Sequence, residues 1–398
     1  MAIIRPASKC IRELGMHGLK HCLWLAATAL LAVGLCLGLT REASAKKPGS
    51  ILRVWPLVGG SPDGGEAFRI LYQSKGLKGE PIAVSGAIYI PAGKPPAGGR
   101  RVIGYGHPTS GVVEKCAPSL MPDNSGLIWG LKSMLAKGYI VAATDYPGLG
   151  TPGIHPYLIG VSEGRAVLDS VRAAIALPRS GASNRFVLWG HSQGGHAVLY
   201  AGEMAKSYAP ELKLVGVAAA APATYLAELF DADKKTSTGK ELTAMAIYSW
   251  SNLYKHPASA LIEPRAMGVY RQMAHDCIES VPQFLALDKA EKPLDNMKFL
   301  KANPAKTKPW STIMQRNTPG KKPAGAPVFL AQGTADTVVR PYITKQFGKV
   351  LCKQGAKVMF VEMPGVTHTF AAKKSVSAAL KWMDGRFRGA PPPNSCGR

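Results

Sequence analysis

The stretch Phe186-Val187-Leu188-Trp189-Gly190-His191-Ser192-Gln193-Gly194-Gly195 decides how the chain is read. Phe186 to Trp189 is a short apolar run suited to a buried strand, and the residues from Gln193 onward suit a helix. Between them stands G-x-S-x-G. In a tight strand-to-helix turn, side chains two positions before and after the serine would clash, so glycines are required there. Such a turn lifts the Ser192 hydroxyl above the edge of a sheet. The helix N-terminus beneath it favours developing negative charge.

Working outward, the same alternation recurs. Upstream, 101–105 and 139–144 read as buried strands and 162–177 as a helix, with Val167, Leu168 and Val171 among its apolar positions. Earlier still, 51–58, 67–74 and 82–90 form an opening set of strands separated by Gly and Pro clusters. Downstream, 193–206 is helix, 212–219 and 328–331 are strands, 341–352 is helix, 358–362 is strand and 375–387 is the last helix. Repeated strand–helix units predict an α/β fold with a mostly parallel central sheet and helices on both faces. The rhythm breaks between about 222 and 327, where the chain is charged, irregular and partly helical, with 231–240 reading as a polar loop. A strand-free stretch between two core strands reads as an inserted cap. The expected organisation is a leader over 1–45, a first core segment over 46–222, a cap over 223–326 and a second core segment over 327–398.

A serine hydroxyl is a weak nucleophile and needs a base. Beyond the leader there are seven histidines, and only His368 follows the late strands, in Pro364-Gly365-Val366-Thr367-His368. The acid must orient that imidazole and stabilise its charged form. Asp336 lies just past the strand 328–331, in Gln332-Gly333-Thr334-Ala335-Asp336, giving the chain order Ser, acid, His of the α/β-hydrolase pattern. Glu362 and Asp384 are the rivals, but the first falls inside a strand and the second inside a helix. An oxyanion needs at least two donors. The backbone N–H of Gln193 is one. The loop His107-Pro108-Thr109-Ser110-Gly111 supplies the other, with Thr109 chosen and Ser110 as runner-up. His107 reads as a structural hydrogen-bonding residue.

The first 45 residues carry Lys9, Arg12 and Lys20, then an apolar run of 18 residues from Cys22 to Leu39, then Ala43-Ser44-Ala45. That is the order of a cleaved secretory signal peptide, which predicts a secreted or periplasmic protein. Cys116, Cys277, Cys352 and Cys396 remain beyond it. Four cysteines in an exported chain can form two disulfides in any of three pairings. The net charge of +24, or +21 beyond the leader, favours anionic surfaces such as acidic lipid or cell envelope. The Lys and Arg are scattered, with no zinc-finger, RNP or basic-helix pattern, so nucleic acid is not an expected partner. Thr238-Gly239-Lys240-Glu241 lacks the first glycine and the final Ser/Thr of a phosphate-binding loop.

Several segments together resemble the secretory lipase family, whose best-known members are fungal lipases of the Candida lipase A type. They are 107–119 (HPTSGVVEKCAPS), 142–164 (AATDYPGLGTPGIHPYLIGVSEG) and 189–195 (WGHSQGG), with 332–336 and 365–368 matching the acid and base loops. The run GLGTPGIHPY is far more specific than G-x-S-x-G. The resemblance spans nearly the whole chain beyond the leader. It implies Ser192, Asp336 and His368 as nucleophile, acid and base, a helical cap over the site, and disulfides Cys116–Cys277 and Cys352–Cys396. Pro108 departs from the pattern, standing where many members have Gly. The expected activity is cleavage of carboxylic esters, lipid-like or acyl esters above all, with no metal or organic cofactor. A peptidase or acyltransferase would use the same three residues, and a non-catalytic binding protein on the same scaffold would have lost one of them. The apolar residues Leu226, Leu229, Phe230, Trp250, Leu253 and Tyr254 are read as cap core rather than the wall of a substrate tunnel.

Overall fold

The computed structural model describes residues 46–280, 282–283 and 297–397, and the expected leader lies outside them. Nine strands form one sheet in the order β1-β2-β3-β5-β4-β6-β7-β8-β9. They are β1 (Ile51–Pro56), β2 (Glu66–Lys75), β3 (Pro81–Ile90), β4 (Arg100–Gly106), β5 (Ile140–Thr144), β6 (Ala182–His191), β7 (Lys213–Ala220), β8 (Val328–Gly333) and β9 (Val358–Met363). The first three are joined antiparallel, and β3 meets β5 antiparallel. From β5 through β9 every pairing is parallel.

The helices of the described residues are α1 (Leu131–Ala136), α2 (Gly160–Ala176), α3 (Gln193–Tyr208), α4 (Leu226–Asp233), α5 (Ser237–Tyr254), α6 (Met267–His275), α7 (Trp310–Arg316), α8 (Pro341–Lys353) and α9 (Ala371–Phe387). Alternation along β6 shows why both faces of the sheet are covered. Phe186 and Leu188 point into one core with Val167, Val171 and Ala197. Val187 and Trp189 point into the other with Leu135, Phe329 and Trp382. Both registers are fully buried, so β6 reads as a continuous apolar run rather than an alternating one.

The stretch 231–240, read from sequence as a polar loop, is instead the end of α4, a short turn and the start of α5. Thr236 caps α5 by accepting a hydrogen bond from the Gly239 N–H at 3.0 Å. The helix α1 went unread because six residues between Gly130 and Gly138 are too short to show a period. Cys116 is bonded to Cys277 and Cys352 to Cys396. The first bond ties the loop after β4 to the segment after α6, and the second fastens the C-terminal end beside α8. No helix among the described residues is long and apolar enough to cross a membrane.

Candidate active site

The carboxyl ends of parallel strands collect the chemistry-bearing loops, as open α/β sheets require. Ser192 follows β6, Asp336 follows β8, the loop 364–368 follows β9 and the loop 107–111 follows β4. Ser192 has φ 57° and ψ −118°, a left-handed conformation that a non-glycine residue holds only under constraint. Two close backbone approaches impose it. A Cβ on Gly190 would lie 2.2 Å from the Gly194 carbonyl oxygen, and one on Gly194 would lie 1.9 Å from that of Gly106.

The structure brings the three sequence-predicted residues into one hydrogen-bonded chain. His368 Nε2 lies 2.9 Å from Ser192 Oγ, and His368 Nδ1 lies 2.8 Å from Asp336 Oδ2. The other carboxylate oxygen of Asp336 accepts the Val338 and Val339 N–H groups at 2.9 and 2.8 Å. Gln332 Nε2 donates to Oδ2 at 3.0 Å. Burial alone would raise the Asp336 carboxyl. The charge and hydrogen bond of His368, together with the Gln332 and backbone donors, outweigh it and hold the group below its ordinary value. The rivals are engaged elsewhere. Glu362 pairs with Lys345 at 2.9 Å, and Asp384 pairs with Lys137 at 2.8 Å.

His191, the variable residue before the serine, also has a place in the site. Its Nε2 faces the His368 carbonyl oxygen at 3.0 Å, and the two rings are 4.9 Å apart. Burial, reinforced by the His368 charge, lowers its pKa to about 3. It is therefore neutral at physiological pH and donates from Nε2, holding the backbone of His368 without adding a competing charge. His107 is buried with both ring nitrogens facing backbone carbonyls, those of Pro108 and Asp145.

Of the two residues considered for the second donor, Thr109 lines the cleft beside Ser192, whereas the lining does not include Ser110. The Ser110 carbonyl instead accepts the Ile278 N–H at 2.9 Å. Among the described residues no backbone acceptor occupies the N–H of Gln193 or of Thr109. The Thr109 hydroxyl meets the Tyr157 hydroxyl at 2.9 Å.

Ser192 and Leu242 stand between two cavities. The first, about 470 Å³ counted with its opening to solvent, is walled by Leu127, Trp129, Leu242 and Ile278 on the His368 side. The second, about 410 Å³ counted in the same way, is walled by Leu158, Ala223, Leu229, Phe230 and Val339. Leu229 and Phe230 are buried in the same core as Leu226 and Trp250, as the core reading expects, and in addition wall the cavity. The sequence also concealed Asp233, a carboxylate on the wall of the second cavity, 3.4 Å from Arg340 Nη2.

Burial pushes the Asp233 carboxyl up to about 7 despite the pull of Arg340. An unfolded aspartate titrates near pH 3.9. Between about pH 4 and pH 7 the folded chain therefore holds this proton more tightly than the unfolded chain. This group makes stability fall as pH rises through that window and level off above it. Asp233→Asn is expected to raise the midpoint of thermal unfolding at pH 8 and leave it unchanged at pH 4, as read by circular dichroism. A lower midpoint for the variant at pH 8 would show that the Arg340 pairing dominates instead.

The sequence profile of the secretory lipases matches residues 128–395. A secreted triacylglycerol lipase of Malassezia globosa is 27% identical over 276 residues, 67% of this chain. The chain spans 57% of that relative's length. Among solved structures, Candida antarctica lipase A in its closed state superposes with a TM-score of 0.74 at 19% identity, covering 88% of this chain and 86% of that one. The rice cell wall degrading esterase LipA of Xanthomonas oryzae superposes with a TM-score of 0.69 at 22% identity, covering 87% of this chain and 100% of that one. At such identities the superpositions establish the fold, which is that of the α/β-hydrolases. With two thirds of its length matched by the profile, the chain belongs to the secretory lipase family.

Proposed function

We propose that this protein is an exported serine hydrolase that cleaves carboxylic esters, lipid-like or acyl esters above all, through an acyl-enzyme on Ser192. The observation that carries the reading is the chain Asp336–His368–Ser192 at the meeting point of two apolar cavities. An ester has two halves, and a nucleophile between two cavities can face its carbonyl while each half lies against an apolar wall.

In this reading Ser192 Oγ attacks the acyl carbon as His368 Nε2 takes its proton. Asp336 stabilises the imidazolium through Nδ1. The tetrahedral oxyanion accepts the N–H groups of Gln193 and Thr109. When the C–O bond to the alcohol breaks, His368 returns the proton to the departing oxygen, leaving the acyl group on Ser192. Water then enters, loses a proton to His368 Nε2 and attacks the acyl carbon. The carboxylic acid leaves, and Ser192 recovers its proton. The insertion over 223–326 is read as a cap, since its helices α4 and α5 wall the second cavity. Export rests on the leader pattern of 1–45, on the secretory lipase profile and on a relative named as a secreted lipase.

The test is turnover of p-nitrophenyl esters from acetyl to palmitoyl by the wild type beside Ser192→Ala. Hydrolysis by the wild type and a loss of about 10⁴-fold or more in the variant are expected. A wild type inactive on every chain length would remove the ester reading, and a fully active Ser192→Ala would remove the nucleophile.

A further inference from the structure

The most specific run of the sequence, 148–157 (GLGTPGIHPY), does not contain any of the three chain members, yet it reaches both oxyanion donors through their side chains. Tyr157 Oη lies 2.9 Å from Thr109 Oγ1. His155 Nε2 lies 2.7 Å from Gln193 Nε2. Behind these contacts is a wholly buried charge. Glu163 on α2 accepts Gln193 Nε2 at 2.7 Å, the Leu158 N–H at 2.9 Å and His196 Nδ1 at 2.7 Å.

The hydrogen-bond partners set the direction of the contacts around Gln193. His155 Nδ1 faces the Pro147 carbonyl at 3.0 Å and must donate to it, so its Nε2 accepts from the Gln193 amide. The Gln193 amide nitrogen therefore points at both His155 and Glu163, since the opposite flip would set oxygen against oxygen at Glu163. His196 has an acceptor on each side, the Glu163 carboxylate at 2.7 Å and the Asn317 backbone carbonyl at 2.8 Å. Burial would raise the Glu163 carboxyl, but His196, through its charge and its hydrogen bond, overcomes it and holds the group below its ordinary value. A buried ion pair of this kind is costly to form and costly to break singly. The insertion fastens the loop from the far side. Ser249 Oγ on α5 donates to the His155 carbonyl at 2.6 Å, and Trp250 Nε1 donates to the Tyr157 carbonyl at 2.8 Å.

We infer that Glu163, His196, His155 and Tyr157 are positioning residues that together set the geometry of the oxyanion hole, Gln193 from one side and Thr109 from the other. The inference rests on the proposed hydrolase reading. It assigns to the buried ion pair a catalytic consequence that no contact with substrate could give it.

The test compares Glu163→Gln and Tyr157→Phe with wild type on a p-nitrophenyl ester, each kcat being referred to active sites counted by stoichiometric release with paraoxon. Removing one oxyanion-hole donor costs about 10²- to 10³-fold in kcat, so misplacing one should cost about 10- to 100-fold in Glu163→Gln, with KM changed less than about twofold. Tyr157→Phe removes one hydroxyl and should cost about three- to tenfold. In both variants the affinity for an alkyl trifluoromethyl ketone, which binds as a tetrahedral oxyanion adduct, should fall in proportion to kcat/KM. A purely structural role predicts less folded protein but an unchanged kcat per titrated site and unchanged ketone affinity, and that result overturns the inference. Should Glu163→Gln fail to fold, Tyr157→Phe decides by the same two readings. Failure of the hydrolase reading is separately visible, as wild type that neither turns over the ester nor is titrated.

Discussion

Asp336→Asn is expected to lower kcat about 10⁴-fold while leaving the thermal midpoint close to that of the wild type, because the substitution reverses the tautomer of the base. Asp336 Oδ1 takes two backbone N–H groups, from Val338 and Val339, so the amide oxygen of an asparagine is drawn to that side. Its NH₂ is then left facing His368 Nδ1 and Gln332 Nε2. His368 Nδ1 must accept, so the proton moves to Nε2, which points at Ser192 Oγ and can no longer take a proton from it. Steady-state kinetics on a p-nitrophenyl ester beside a melting curve checks this. A variant within tenfold of wild type would mean that Asp336 does not orient the base.

Gly194→Ala is expected to abolish turnover and destabilise the fold by more than about 3 kcal/mol, the range reached when overpacking meets a position that cannot relax. Its Cβ would sit 1.9 Å from the Gly106 carbonyl oxygen and 2.8 Å from that of His107. Both obstacles are backbone, one of them at the end of a central strand paired on both sides, so neither yields by a rotamer change. The only relief is to part β4 from the start of α3, which also separates Thr109 from Gln193. Denaturant unfolding and the soluble yield report the stability loss. A variant as stable as wild type would show that β4 and the nucleophile turn are not held in contact.

These two predictions rest on residues that could be read in the sequence, and the reason is local. G-x-S-x-G advertises a turn whose geometry depends on its own glycines, and strand–helix alternation places Asp336 and His368 at strand ends. The buried polar residues were hidden because their partners are remote in the chain. Glu163 meets His196 across 33 residues, and Asp233 meets Arg340 across 107. From sequence alone Asp231 to Lys235 is a charged run with the composition of a solvated loop. Only the packing of α4 against the second cavity buries Asp233. Leu229 and Phe230 were ambiguous for a similar reason, since an apolar helix face looks the same whether it meets a core or a cavity.

The central claim is that Ser192 is the residue that becomes acylated. Reaction with a fluorophosphonate, which traps an activated serine covalently, followed by peptide mass spectrometry tests it most directly. The account predicts one adduct per chain, on the peptide carrying Gly190-His191-Ser192-Gln193-Gly194, with ester turnover lost in step with labelling. Ester turnover that persists with Ser192 fully labelled, or an adduct on another residue that accounts for the lost activity, would contradict it.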